Sequence, residues 1–432
     1  MGNNMRKGAV IVVVLCLLVT GCGHYQIMEK KQDSFYEKEG NEPYGSCIPE
    51  TARTYMESVG GQATEITEGE GQKTEKSEEL RLYAKAAALI DGDSLRVLYG
   101  KDSDTRYPMA STTKIMTCLY TLEHGNLDDV VTVSSRAASQ PKVHLGMREG
   151  QQYRLQDLLY SLMLESHNDS AVAIAEHIGG SVEQFCMDMS TKARELGLKD
   201  TNFETPNGLD SDGHYTTAKE LAILGAYALR NETFVQIVNT KTYTFSELLK
   251  GGSHTVNNKN AFLTMYDGAI GIKTGFTSKA SYCFVGAVKR DDRTFVSSVL
   301  SSGWYPKKTY KWADTKKLMD YGVNQFQKVA ILKPCVLKER VNVSGGTKKQ
   351  IQVQAQQSAD TLLQGSDRLS YKLSWLDDGL TAPVKEKQLA GYLLVYLNGK
   401  LYQKVPLLTM EGCQTFDYGW CLKKVLSRFM FY

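Results

Sequence analysis

The chain has 432 residues, with 51 basic and 48 acidic side chains, a formal net charge of +3 and 42% apolar residues. That length accommodates two domains plus tails. The near-neutral balance, with no basic-aromatic array, argues against a nucleic-acid partner. The nine cysteines and seven histidines lack ligand spacing, so neither a metal nor a cofactor is expected.

At the N-terminus, Arg6 and Lys7 precede an apolar stretch over 9–19. It is too short for a comfortable transmembrane helix and suits a signal-peptide core, which implies export. Val19-Thr20-Gly21-Cys22 resembles a bacterial lipobox, so residues 1–22 are read as a signal peptide with Cys22 as the lipidated residue. A single lipid anchors weakly, which calls for a second attachment. Residues 23–79 are rich in Glu, Gly, Gln, Thr and Ser and are expected to form a flexible linker. Tyr36, Tyr44, Cys47 and Ile48 interrupt that composition, and the pairing of Cys47 is left open.

Residues 85–90 and 95–99, joined at Asp91-Gly92-Asp93-Ser94, predict an opening hairpin. Then comes Ser111-Thr112-Thr113-Lys114, followed by Ile115, Met116, Leu119 and Leu122 at the spacing of a helix with one buried face. Ser111 and Lys114 thus share a face at a helix N-terminus, where positive charge is disfavoured and an incipient anion favoured. Both effects suit a lysine acting as base towards a serine nucleophile. A second Ser-x-x-Lys, Ser139 to Lys142, contains Pro141 and no apolar run behind it, so it is rejected as a nucleophile motif.

Ser166-His167-Asn168 falls in a break between the apolar helical stretches 158–164 and 171–178. Ser166 there can relay a proton, and Asn168 can hydrogen-bond a peptide-like substrate. Lys273-Thr274-Gly275 ends the apolar segment 269–272 and reads as a strand edge, where Lys273 and Thr274 would meet a substrate carboxylate. Gly275 would let a substrate backbone come close. Runs at 282–288 and 294–300, separated by Asp291-Asp292-Arg293, predict an antiparallel hairpin. Beyond about residue 333 strand signals dominate, notably 392–397 and 400–407 joined by Asn398-Gly399, a type I′ signature. Residues 420–432 alternate faces at helical spacing: Lys423, Lys424, Ser427 and Arg428 oppose Leu422, Val425, Leu426 and Phe429, an interfacial amphipathic pattern.

The three strings, in this order, are the motif set of active-site-serine penicilloyl enzymes. With Arg106-Tyr107-Pro108-Met109-Ala110, Pro206-Asn207-Gly208-Leu209, Tyr266-Asp267-Gly268 and the stretch 314–322, the chain resembles the low-molecular-mass penicillin-binding proteins that act as serine-type D-alanyl-D-alanine carboxypeptidases. The likeness spans about residues 80–410, roughly three quarters of the chain. It implies Ser111 as nucleophile, Lys114 as base, Ser166 as proton relay, Asn168 as ligand of a substrate amide, and Lys273 and Thr274 as carboxylate ligands. The oxyanion hole would be the backbone amides of Ser111 and Phe276. His167 stands where the family often has glycine, and Phe276 where some members carry histidine.

The fold expected is α+β: a β-lactamase-like domain at 80–333, an antiparallel sheet flanked by helices with a helical insertion, then a small β-rich domain at 334–410. Residues 411–432 would be a membrane-associating helix. The implied function is hydrolysis of the terminal D-Ala-D-Ala bond of peptidoglycan stem pentapeptides at the outer face of the cytoplasmic membrane, with β-lactams acylating the same serine. Alternatives on the same fold are a D,D-endopeptidase, a β-lactamase, or a weakly catalytic wall-anchored sensor or scaffold.

Overall fold

A computed structural model of the protein describes residues 47–59, 80–376 and 379–429, so the lipobox, Cys22 and most of the expected linker lie outside the described residues. The first domain is built on a five-stranded antiparallel sheet. Its strands are β1 (Ala86–Asp91), β2 (Val97–Lys101), β3 (Ala269–Thr277), β4 (Ser281–Arg290) and β5 (Arg293–Leu300), in the order β2-β1-β5-β4-β3. The β1–β2 and β4–β5 hairpins fall where the sequence places them, and β3 is an edge strand as expected.

Every residue of β1 is buried, because the sheet is covered on both faces. Ala86, Ala88 and Ile90 join Val285, Ala287 and Val296 in the core beneath the helical lobe. The alternate residues Ala87 and Leu89 join Phe284, Phe295 and Val299 in a second core under the helix Tyr310–Gln325. This two-residue periodicity assigns each side chain to one layer. Burying a Leu or Phe in either layer stabilises the fold by about 1.5–3 kcal/mol. Three helices of the lobe carry the site: α1 (Lys114–His124), α2 (Leu155–Leu164) and α3 (Asn168–Gly179).

The second domain is a six-stranded sheet with a two-stranded ribbon beside it. Asn398 (φ 53°) and Gly399 (φ 72°) are both left-handed between Leu389–Leu397 and Lys400–Thr409, as the Asn-Gly signature requires. Two boundaries differ from the expected ones. Gln327–Leu332, placed by sequence in the first domain, pairs with Ala359–Leu363, and its Val329, Ile331 and Leu332 enter the second core. Residues 50–58, expected within a flexible linker, form a helix whose Ala52 and Tyr55 pack into that same core beside Cys47 and Ile48. A disulfide from Cys47 to Cys335 fixes this segment, closing a sequence separation of 288 residues. Few apolar side chains suffice there because the covalent link, not the helix, restricts the chain. Between the domains, Arg96 makes a 2.7 Å ion pair with the almost fully buried carboxylate of Asp367, and Leu362 inserts into the first domain's core.

The helix Tyr418–Phe429 leaves Leu422, Val425 and Leu426 about half exposed, so its apolar side does not pack on the β domain. Among the described residues no helix is long and apolar enough to cross a membrane.

Candidate active site

Ser111 lies in a single 3-10 turn (Ala110–Thr113) that runs directly into α1, so its amide sits at the start of a helical dipole. The turn is set up by Ala110 in the left-handed region at φ 48°, an uncommon conformation for a residue with a Cβ. One helical turn on, Lys114 is fully buried. Its Nζ lies 3.0 Å from Ser111 Oγ, 2.9 Å from Asn168 Oδ1 and 2.6 Å from the carbonyl oxygen of Asn207. Burial first, and the positive charge of Lys273 second, hold its pKa well below that of a free lysine.

The three-residue break between α2 and α3, residues 165–167, supplies Ser166, and the first residue of α3 is Asn168. Ser166 adopts φ 71°, and its buried hydroxyl has no hydrogen-bond partner. Asn168 opens α3; its Oδ1 takes the Lys114 bond while its Nδ2 donates to Pro141 O at 3.1 Å. The sequence assigned Asn168 to substrate; in the protein alone it orients Lys114. His167 is directed elsewhere, with Nδ1 2.8 Å from Ser161 Oγ and Nε2 3.4 Å from Glu165 Oε2, and burial lowers its pKa. Asp169 fastens the neighbouring loop by accepting from the amides of Leu145, Gly146 and Met147.

On the opposite wall, Lys273, Thr274 and Gly275 lie on β3. Lys273 is buried, donates to Thr274 O at 3.2 Å, and has its pKa pushed down to about 7 by desolvation. A Cβ on Gly275 would sit 3.0 Å from Ser111 N and 3.1 Å from Met109 O. The glycine therefore admits the nucleophile turn against the strand, a different neighbour from the substrate backbone expected. The Phe276 ring is 44% exposed and lies 4.5 Å from the Tyr282 ring.

The string Pro206-Asn207-Gly208-Leu209, which the sequence offers only as part of the resemblance and without a role, forms the third wall. The Asn207 carbonyl accepts from Lys114 and lies 3.4 Å from Ser111 Oγ, while its side chain binds Gln140 Oε1 and the Leu209 amide. Gly208 at φ 83° packs so closely that a Cβ would meet Ala110 O at 2.1 Å. Gln140 and Pro141 belong to the rejected Ser-x-x-Lys, which rims the site without supplying a nucleophile. Beneath the turn, His214 accepts the Glu204 amide at Nδ1 (3.0 Å), so Nε2 carries the proton and donates to Thr113 Oγ1 at 2.7 Å. Thr113 in turn donates to Ala110 O at 2.8 Å. Burial lowers the His214 pKa to about 4, which keeps that ring neutral.

An antiparallel sheet flanked by helices, with a buried lysine on a serine at a helix start and a Lys-Thr-Gly edge strand alongside, defines a serine acyl-transfer enzyme of the penicillin-binding class. Residues 72–303 match the family model described as D-alanyl-D-alanine carboxypeptidase, and 326–414 match the penicillin-binding protein 5 C-terminal domain. The chain belongs to the D-alanyl-D-alanine carboxypeptidase family. It is 30% identical over 366 residues to the D-alanyl-D-alanine carboxypeptidase DacF of Bacillus subtilis, covering 82% of this chain and 92% of that one. It is 29% identical over 347 residues to DacC of Escherichia coli, covering 77% and 84%. Penicillin binding protein 5 from Haemophilus influenzae superposes with a TM-score of 0.67 at 26% identity, over 78% of this chain and 99% of that one. The DD-transpeptidase of Streptomyces K15 gives 0.54 at 32%, over 57% and 100%.

Proposed function

We propose that this protein is a serine-type D-alanyl-D-alanine carboxypeptidase that trims peptidoglycan stem pentapeptides on the cell-wall side and is acylated by β-lactams at the same serine. The observation that carries it is the donor count at Lys114. An ammonium has three N–H bonds and three acceptors are in reach; a neutral amine has two, which go to Asn168 Oδ1 and Asn207 O. Its lone pair then faces Ser111 Oγ at 3.0 Å. The depressed pKa and this geometry make Lys114 the base.

The steps follow from the same atoms. Ser111 Oγ gives its proton to Lys114 and attacks the carbonyl of the penultimate D-alanine. The oxyanion is held by the amides of Ser111 and Phe276. Ser166 Oγ gives its proton to the leaving amine and is reprotonated from Lys114, D-alanine departs, and water later cleaves the ester, giving one proton to the neutral Lys114, which returns it to Ser111 Oγ. Lys273 and Thr274 hold the terminal carboxylate, which restores to buried Lys273 a counter-charge it lacks in the free enzyme. Export, a lipid on Cys22 and the exposed apolar side of the C-terminal helix would together hold the enzyme at the outer membrane face. The helix supports this through its half-exposed Leu422, Val425 and Leu426.

Intact mass spectrometry of the full-length protein in detergent tests the reading. With diacetylated Lys-D-Ala-D-Ala, release of a single D-alanine is expected, and with penicillin a long-lived adduct on Ser111. Rapid penicillin turnover would make it a β-lactamase; neither product nor adduct from folded protein would leave only the sensor reading.

The Lys273 pKa fixes a pH dependence. A group with a folded pKa of about 7 binds carboxylate substrates well below that pH and loses its charge above it. In the free enzyme, kcat/KM should therefore fall on the alkaline side with a limb starting near 7. Lys273→Arg keeps the charge beyond pH ~12, so its lower profile should lose that limb. An unchanged limb in the Arg variant would exclude Lys273 as its source.

A further inference from the structure

One exposed surface is not used by this chemistry. After β5 the chain runs through Ser302-Gly303-Trp304-Tyr305-Pro306-Lys307-Lys308, and Trp304 and Tyr305 are 61% and 81% exposed. Two large adjacent rings exposed together form an apolar patch of the kind that marks interaction sites. The loop is fastened to the start of β4, the Ser302 amide donating to Tyr282 O at 2.7 Å and Ser281 Oγ to Gly303 O. Tyr282 is the residue on which Phe276 lies. The surface is thus continuous with the strand end that carries Lys273-Thr274-Gly275.

Lysines frame the rings. Lys85 Nζ lies 5.1 Å from the centre of the Trp304 ring and Lys307 Nζ 5.4 Å from that of Tyr310, while Lys311, 4.7 Å from the Tyr282 ring, is buried and donates to Lys308 O. Tyr310 stacks on Tyr83 at 3.9 Å, and Tyr83 is itself 53% exposed. Segments 81–87 and 302–311 expose Arg81, Lys85, Lys307 and Lys308 and contain no acidic residue, and the Asp314 carboxylate that accepts from the Tyr83 and Ala84 amides and Ser302 Oγ is buried. Flat exposed rings match the C–H faces of pyranose sugars, which stack on Trp and Tyr. The surrounding positive charge matches peptides with free carboxylates.

We propose that Trp304 and Tyr305, with the lysines around them, form a platform that binds the glycan strand of peptidoglycan and feeds its stem peptides to Ser111. This rests on the carboxypeptidase reading, and adds that polymeric wall is preferred over a free peptide. The occupant is the substrate's own polymer, whose sugar rings and acidic peptides complement both features and whose stem peptides must reach Lys273.

Two measurements on the full-length protein in detergent separate this inference from the reading beneath it. The first compares kcat/KM for D-alanine release from purified sacculi and from diacetylated Lys-D-Ala-D-Ala, in the unmodified protein and in Trp304→Ala/Tyr305→Ala. The double variant should lose about tenfold on sacculi, chiefly through KM, and stay within about twofold on the peptide. The second is sedimentation of Ser111→Ala with sacculi, which needs no turnover; adding the double substitution should release most of the protein into the supernatant. Equal loss on both substrates, or sedimentation that survives the double substitution, would overturn the platform. Failure of the unmodified protein to act on the peptide would instead overturn the carboxypeptidase reading, leaving the sedimentation result to decide the platform alone.

Discussion

Lys114→Met should lower the second-order rate of acylation by penicillin, and of D-alanine release, about a thousandfold. The substitution keeps the length of the side chain and its apolar stem within the buried start of α1 but removes the amine that faces Ser111. It also strips Asn168 Oδ1 and the Asn207 carbonyl of a donor; the carbonyl keeps its 3.4 Å contact from Ser111 Oγ, and the unpaired Asn168 Oδ1 should cost about 1–3 kcal/mol. Against that, the folded protein no longer buries a group whose charged form is opposed by desolvation and by Lys273. The net change in melting temperature should be a moderate decrease with a single cooperative transition. Lys114→Arg is the complementary variant: it keeps charge and donors, cannot act as a base, and should be equally silent. Gel-based trapping with a fluorescent penicillin, run beside thermal melts, gives both quantities. Acylation within tenfold of the unmodified protein in either variant would remove Lys114 from the role of base.

The residues legible in the sequence were those whose side chains carry the chemistry. Ser111, Lys114, Ser166, Asn168 and Lys273 were found because their strings recur in order and sit at a helix start, a helix break and a strand end. The structure brings Ser111, Lys114 and Asn168 into direct contact, with Lys273 close enough to depress Lys114. The third wall was hidden because Asn207 contributes a backbone carbonyl, and a carbonyl leaves no mark on residue identity. Gln140 and Pro141 were passed over for a related reason: rejecting Ser139 as a nucleophile said nothing about what its neighbours line. The helix at 50–58 was misread because its stability is non-local. Tyr55 donates to Asp367 O and Gln364 O, more than 300 positions away, and Cys47 is held by Cys335. The hairpin at Asn398-Gly399 is the reverse case, where two adjacent residues determine the backbone and nothing distant is needed.

Gly275→Ala should cut acylation by about a hundred- to a thousandfold while leaving the melting temperature little changed, because its effect falls on the position of an amide more than on a core. The added methyl would lie 3.0 Å from Ser111 N and 3.1 Å from both Ala110 Cβ and Met109 O. Those contacts are tight enough to shift β3 relative to the nucleophile turn, and the proposed oxyanion hole, with one amide on each element, would lose its geometry. Gly208→Ala acts on the same turn from the other side and more severely. Its Cβ would overlap the Ala110 carbonyl at 2.1 Å, and its φ of 83° is one that alanine resists. It should abolish acylation and also lower the melting temperature, since the overlap is with backbone and no side-chain rotation relieves it. The ordering of the two variants is the discriminating result. If Gly275→Ala acylates at the unmodified rate, the edge strand does not supply an oxyanion donor, and the amide partner of Ser111 must be sought in the 206–209 loop.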